Sequence, residues 1–259
     1  MNDDRTSWKL RIEPGDRRDY DRLARYHYLA GPPATIARWP SGAPVMLRAV
    51  DATEPGAPLV GVLVVSMPTL NARWRPMAWG KRYQTPDRWL NARRLNDELR
   101  TISRVIVEPR YRSMGVASAL VRAYLSRAAT PATEAFAAMG GASPFFERAG
   151  MRAYVVPPAP RDLRLLDAFD AAGVEPTKLL DPGVRARWTA RPKSKRTRLV
   201  QRELRTWARA SKGTRPIAAG PLGPIAAVAA GVLAPIASGE DALAPRAYAH
   251  RTAEQGARP

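Results

Sequence analysis

The segment RYRSMGVA, residues 110–117, has the composition of an anion-binding turn. It follows a run of β-branched residues and precedes apolar residues at helical spacing, which predicts a strand-to-helix turn. Glycine at position 115 permits a positive φ and close approach of a ligand, while free N–H groups at a helix start attract anions. Arg110 and Arg112 add positive charge. A pyrophosphate matches these properties.

Two familiar phosphate-binding motifs do not match this segment. A Walker loop would continue into Gly-Lys-Ser/Thr, and a dinucleotide fingerprint would carry two further glycines. A turn whose glycine serves packing alone is the remaining alternative.

The residues VIVEPRYRSMGVASALV, from Val105, and SPFFERAGM, Ser143–Met151, resemble two motifs of the GNAT acyltransferase superfamily. The first is similar to its acyl-CoA pyrophosphate loop and the second to its later Phe-Tyr-Glu helix. The similarity covers residues 8–157. It implies an α/β (α+β) fold with a mixed central sheet splayed open after the fourth strand and helices on both faces.

The resemblance implies acetyl-CoA, or another acyl-CoA, as the bound donor. Backbone groups of Val105, Ile106 and Val107 would bind the pantetheine arm like an added strand. The pyrophosphate would lie on Arg112, Ser113, Met114, Gly115, Val116 and Ala117. An amine would enter from the opposite side and be acylated.

The resemblance does not supply a general acid, because Phe146 stands where this family usually has the tyrosine that protonates the leaving group. Tyr111, Tyr28, Tyr154 or water are the candidate acids. The candidate bases are Glu98, just before the fourth strand, and Glu108 at its end. Ser103 and Arg104 lie mid-strand, and one of them is expected to face the cleft. Our candidate catalytic residues are Glu98, Ser103 and Tyr111.

The elements that position these residues can be predicted from periodicity. Strands are expected at residues 8–12, 44–52, 58–68, 101–108, 133–139 and 151–156, with the third buried on both faces. Helices are expected after Asp16, which can cap the first, over 87–99, over 115–127 and at 143–150. Mixed order of this kind predicts helices on both faces of one sheet.

The charge is concentrated in two windows. The net charge is +19, and residues 68–100 and 184–215 contribute +5 and +11 of it. Regional positive charge favours a polyanionic partner, although an arginine-rich composition alone is a sufficient alternative explanation. The chain has no cysteine and two histidines, which excludes disulfides and thiolate sites, argues against a metal site and is compatible with a cytoplasmic location.

The window at 69–100 interleaves aromatic and basic residues beside the expected acceptor cleft. Bases stack on aromatics and phosphates pair with arginines, so it predicts DNA or RNA contact. A small core of tryptophans under arginine stems is the alternative. In layout the chain is also similar to Mom enzymes of phages, which modify DNA. The candidate contacts are Arg73, Trp74, Arg75, Lys81, Arg82 and Trp89.

Beyond the catalytic domain, 1–157, we expect a basic helical extension at 158–215 and a flexible Ala/Gly/Pro-rich tail at 216–259. The tail lacks charge over 216–239, but repeated proline makes it a poor membrane span. Three functions compete: an N-acyltransferase acting on a nucleic acid, a protein or a small molecule; a nucleic-acid-binding protein without turnover; and an adaptor for anionic membranes or ribosomes. The sequence does not indicate an oligomeric state.

Overall fold

The computed structural model describes residues 8–27, 33, 35–137, 140–190, 194–211, 213–237 and 245–252. The chain forms two compact units, Met1–Val155 with Pro245–Pro259, and Val156–Ala244. We call them the sheet unit and the helical unit.

The sheet unit contains a seven-stranded sheet in the order β1-β2-β3-β4-β5-β7-β6. Only the β4–β5 pair is parallel, and the other neighbours are antiparallel. The predicted fold class, a mixed α/β sheet with helices on both faces, is confirmed. The strands are β1 (Leu10–Pro14), β2 (Met46–Asp51), β3 (Leu59–Ser66), β4 (Leu99–Val107), β5 (Ala132–Ala137), β6 (Arg152–Val155) and β7 (Arg246–Arg251). The helices are α1 (Arg17–Leu23), α2 (Arg75–Trp79), α3 (Arg88–Glu98), α4 (Val116–Leu125) and α5 (Phe145–Arg148).

Strand β3 is the buried centre of this sheet, as its apolar sequence predicted. All eight of its residues are buried, and they alternate between two cores. Val62 and Val64 pack with Tyr20 of α1 on one face. Leu63 and Val65 pack on the other face with α4, which contributes residues such as Leu120. Burial on both faces explains why this strand lacks the polar alternation of a surface strand.

Helix α1 begins where the sequence predicted. The carboxylate of Asp16 accepts hydrogen bonds from the backbone N–H groups of Arg18 and Asp19, and the Asp19 carboxylate accepts from the Asp16 N–H. This reciprocal capping box satisfies donors that the first helical turn leaves without partners.

The prediction of a flexible tail over 216–259 is wrong for its described residues. Residues 246–251 form β7, which pairs with β5 on one side and β6 on the other. Tyr248 is fully buried and packs against Phe146. The chain therefore leaves the sheet after β6, forms the helical unit and returns to complete the sheet. Alanine-rich β7 carries no β-branched signal, which is why the pattern did not reveal it.

The helical unit is built on one apolar core. Its helices are α6 (Pro160–Ala171), α7 (Pro182–Thr189), α8 (Lys195–Arg209) and α9 (Leu222–Ala237). Phe169, Leu204, Trp207 and Ile225 are among the buried core residues. The Trp207 indole N–H donates to the Asp162 carboxylate over 2.6 Å. Helix α8 lies within the basic helical extension predicted at 158–215, and α9 is a packed helix within the segment expected to be flexible.

No helix in the described part of the chain combines the length and apolarity needed to cross a bilayer.

Removing residues 245–259 is expected to abolish cooperative folding of the sheet unit, because β7 supplies the hydrogen bonds between β5 and β6. Urea unfolding followed by near-UV circular dichroism measures this. As a control, residues 156–244 are replaced by a short Gly/Ser loop, which keeps β7 and should keep the transition, since Val155 and Arg246 are paired neighbours. A normal unfolding transition in the chain that lacks residues 245–259 would contradict the expectation.

Candidate functional site

The sheet opens between β4 and β5. The two strands pair in parallel from Leu99–Ala132 to Ile102–Ala135, and no pair follows among the described residues. Strand β4 nevertheless continues to Val107, paired with β3 on its other side. Residues 103–107 therefore have one edge without a neighbouring strand, so their backbone groups on that edge are available to a ligand.

A β-bulge lies where the strands separate. Val64 pairs with Arg104, but the next residue, Val65, pairs with Ile102, so Ser103 has no residue opposite it. Its hydroxyl accepts a hydrogen bond from Ser66 Oγ over 2.7 Å and donates to the Val64 carbonyl over 3.1 Å. A hydroxyl has one donor and two acceptor positions, so Ser103 keeps one acceptor position.

A cavity of about 760 Å³ follows the open edge of β4 to the start of α4. It brings together most of the donor-binding residues predicted from the sequence. Met114 is the exception: it is exposed and does not line the cavity. Those lining the cavity are Val105, Ile106, Val107, Arg112, Ser113, Gly115, Val116 and Ala117.

The turn before α4 has the backbone geometry that the glycine predicted. Gly115 adopts φ +83°, and Ser113 also has a positive φ of +65°. Helix α4 starts at Val116, so the N–H groups of its first turn have no helical acceptors. A Cβ added at Gly115 would meet nothing within 4 Å. The glycine is therefore needed for its φ, and the space in front of the turn is open.

The electrostatics of this first cavity favour an anion. Among its described lining residues are Arg104, Arg112 and Arg148, and none is an aspartate or glutamate. Arg110, by contrast, is paired with Glu108 over 3.1 Å. The Arg104 guanidinium donates to the Ser103 carbonyl, and its Nε is buried without a hydrogen-bond partner. Unpaired positive charge in a concave site attracts negatively charged ligands.

A second cavity of about 480 Å³ meets the first at the bulge. Ser103 and Phe136 line both cavities, and Ser66, Thr101 and Glu134 line the second together with Trp74. The two cavities thus approach Ser103 from different directions. This arrangement can hold two ligands whose reacting atoms meet beside Ser103.

One member of a buried ion pair, Glu134, lines the second cavity. Glu134 of β5 accepts two hydrogen bonds from Arg75, over 2.8 and 3.0 Å, and a third from Thr101 over 2.9 Å. Arg75 also donates to the carbonyls of Thr69 and Leu70, and only 2% of its side chain is exposed. Sequence reasoning missed Glu134, although a single carboxylate inside the apolar strand ATEAFA was a usable signal.

The structure does not present Trp74 and Arg75 on an exposed nucleic-acid surface, as the insertion suggested, although Trp74 lines the second cavity. Trp74, Trp79 and Tyr83 are buried, which is the alternative of a tryptophan core under arginine stems. The Arg75 guanidinium is paired with the Glu134 carboxylate. Arg73 and Lys81 are exposed, Arg82 pairs with Glu98, and Trp89 is 85% exposed.

The structure does not bring Glu98 or Glu108 to either cavity lining. Both oxygens of Glu98 accept from Arg82, over 2.6 and 2.8 Å, and the Glu108 carboxylate accepts from Arg110. Tyr111 lines the first cavity, but its hydroxyl donates to Asp51 over 3.3 Å. Burial raises the pKa of Tyr111, and the carboxylates of Glu54 and Asp51 raise it further. These contacts give each group a structural role.

Tyr28 and Tyr154 are the two further candidate acids from the sequence. Tyr28 lies outside the described residues. Tyr154 contacts Trp74 and Arg152 and lines neither cavity. Phe146 is buried against Phe145 and Tyr248. Of the predicted catalytic residues, only Ser103 lies where the two cavities meet.

No family model and no curated protein matches this chain. Among solved structures, a mosquito protein described as arylalkylamine N-acetyltransferase like 5b is similar over 60% of this chain and 87% of its own, with 11% identity and a TM-score of 0.36. A similarity this slight identifies no function for the chain.

Replacing Glu134 with glutamine should destabilise the sheet unit by about 3–5 kcal/mol, because it leaves the buried Arg75 charge without a counter-ion. The free energy of unfolding in urea is the measurement. Asp21→Asn is the matched control: it breaks the exposed Arg17–Asp21 pair and should cost about 0–1 kcal/mol. Equal losses in the two variants would show that the Arg75 pair is not desolvated.

Proposed function

We propose that this protein is an acyl-CoA-dependent N-acyltransferase that uses acetyl-CoA. The observation that carries the proposal is the open edge of β4, which leads directly into an anion-binding turn with positive φ at Gly115. The family resemblance described above assigns the same residues to the donor. Bound acyl-CoA would supply an activated thioester for transfer to an amine.

The first cavity fits the two chemical parts of that donor. The unpaired backbone of Val105–Val107 offers alternating N–H and C=O groups to the amides of a pantetheine arm. The first-turn N–H groups of α4, with Arg112, would hold the pyrophosphate. The absence of carboxylates from the described lining removes the repulsion that a phosphate-rich ligand would otherwise meet.

The second cavity would admit the acceptor amine. Its junction with the first at Ser103 lets an amine approach the donor without crossing the donor site. The free acceptor position of the Ser103 hydroxyl would take one N–H of the amine and orient the nitrogen lone pair. Catalysis of this kind relies on holding the two reactants in an attack geometry.

The acceptor that we favour is an amine on a nucleic acid or a nucleic-acid-associated molecule, supported by the net charge of +19. Burial of Trp74, Trp79 and Arg75 removes the stacking surface that the insertion suggested. A small-molecule or protein amine is therefore the second candidate, supported by the modest size of the second cavity.

Substituting Gly115 with aspartate should abolish acyl-CoA binding, because a negative charge would face the pyrophosphate. Asparagine at the same position is the matched control. It has nearly the same shape and tolerates positive φ, but carries no charge. Isothermal titration with CoA should give a loss on the order of 10²-fold or more for aspartate and a much smaller loss for asparagine. Near-normal affinity of a folded Gly115→Asp protein would refute the donor-site assignment.

Replacing Ser103 with alanine should lower the rate of thiol release with amine acceptors by roughly ten-fold, about 1.4 kcal/mol, while CoA affinity stays unchanged. Ser126→Ala is the control, because Ser126 is exposed at the end of α4 and lines neither cavity. Thiol release is measured with acetyl-CoA and a panel of amines and oligonucleotides. An unaltered rate on an accepted substrate would remove Ser103 from the acceptor site. CoA binding without release on any acceptor would favour a binding protein.

A further inference from the structure

Helix α8 of the helical unit has two sharply different faces. One face carries Val200, Leu204, Trp207 and Ala208, all buried in the core of the unit. These residues recur at three- and four-residue spacing, which places them on one side of the helix. The core therefore fixes which side of α8 is turned to solvent.

The opposite face carries a stripe of positive charge. Lys195, Arg198, Arg202 and Arg209 are all exposed and are spaced by three, four and seven residues, so they lie along one side of the helix. At 1.5 Å per residue the stripe is about 21 Å long. We call these four residues the α8 stripe.

The charges of the stripe are not used to hold the unit together. Among the described residues no carboxylate is paired with Lys195, Arg198 or Arg209, and Arg202 lies 4.0 Å from Glu203. Glu203 is itself bound by Arg164 over 2.7 Å. Other arginines of the unit do have structural roles: Arg185 and Arg205 donate to backbone carbonyls.

We infer that the α8 stripe binds the phosphate backbone of a nucleic-acid duplex. A straight row of exposed cations complements the regular negative charge of a duplex backbone. The exposed face of α8 has no aromatic residue, because Trp207 is buried, so it lacks the stacking platform of a single-strand binder. Contacts to phosphate carry no base information, and binding at this surface is therefore independent of sequence.

The same face is poorly suited to a membrane surface. A helix that lies in a bilayer interface needs a large apolar face to insert beside its basic residues. The apolar face of α8 is occupied by the core of its own unit, and Leu199 is its one large apolar side chain with substantial exposure. The stripe offers charge without an apolar anchor, which favours the duplex.

This inference concerns a surface within the helical unit and does not depend on acyl transfer. Failure of CoA binding or of thiol release would leave it intact. Conversely, loss of nucleic-acid binding would leave the donor-site assignment intact, and CoA affinity measured on every variant separates the two.

The test is fluorescence anisotropy of the full chain with a mixed-sequence DNA duplex of about 20 base pairs, between 50 and 200 mM salt. Four phosphate contacts should steepen the slope of log affinity against log salt concentration by about 3.6. Over this four-fold rise in salt, the four contacts then account for a loss of affinity on the order of 10²-fold. Replacing Lys195, Arg198, Arg202 and Arg209 with glutamine should remove that part of the slope. The double variant Arg198→Gln/Arg202→Gln should remove about half of it.

The matched control changes four exposed arginines of the sheet unit to glutamine, at positions 18, 22, 127 and 152. It alters the net charge equally and should leave most of the slope in place. An equal loss in the control would overturn the inference, as would an unchanged slope in the stripe variant. Stripe-dependent binding to phosphatidylserine vesicles, or to polyglutamate, without binding to the duplex would also overturn it.

Discussion

The end of β4–β5 pairing is the constraint on which the rest of the sheet unit depends. Parallel strands normally continue side by side, but the bulge at Ser103 shifts the register of β4 against β3 just after the last β4–β5 pair. A bulge bends and twists its strand, so the two strands diverge. Their divergence exposes the edge of β4, and Ser103 lies where the two cavities meet. A single extra residue thus accompanies the opening of two cavities.

Much of this architecture could be predicted from local patterns. Strand β3 follows from its unbroken apolar run, α1 from its capping aspartate, and the turn before α4 from a glycine between a strand and a helix. These signals arise within a few residues, so the sequence carries them directly. The contacts of Arg75 with Glu134 and of β5 with β7 join residues far apart in the chain. No periodicity encodes such pairs, so the partners of Arg75 and of β5 could not be assigned from local patterns.

The insertion between β3 and β4 shows how composition can mislead. Four aromatic residues among arginines suggest a stacking surface, yet three of them are buried and Arg75 faces a carboxylate on β5. Arginine stems pack well against aromatic rings, so the same residue types suit a small core as well as a nucleic-acid surface. Whether such residues form a core or a nucleic-acid surface is decided here by one distant residue, Glu134. Without Glu134, a buried Arg75 would be prohibitively costly; with it, α2 is fixed against β5.

The position of β7 also determines the order of events during synthesis. Residues 246–251 are translated after the whole of 156–244, yet they pair with β5 and β6, which were made long before. The helical unit has its own core and can fold while the sheet is still incomplete. Domains commonly fold in the order in which they leave the ribosome. Here the sheet unit is the first to be synthesised but the last to be completed, because it needs β7. Until β7 is made, the edges of β5 and β6 are open to pairing with other chains. The time for which these edges stay exposed in a nascent chain therefore depends on how soon the helical unit folds and brings β7 to pair with β5 and β6.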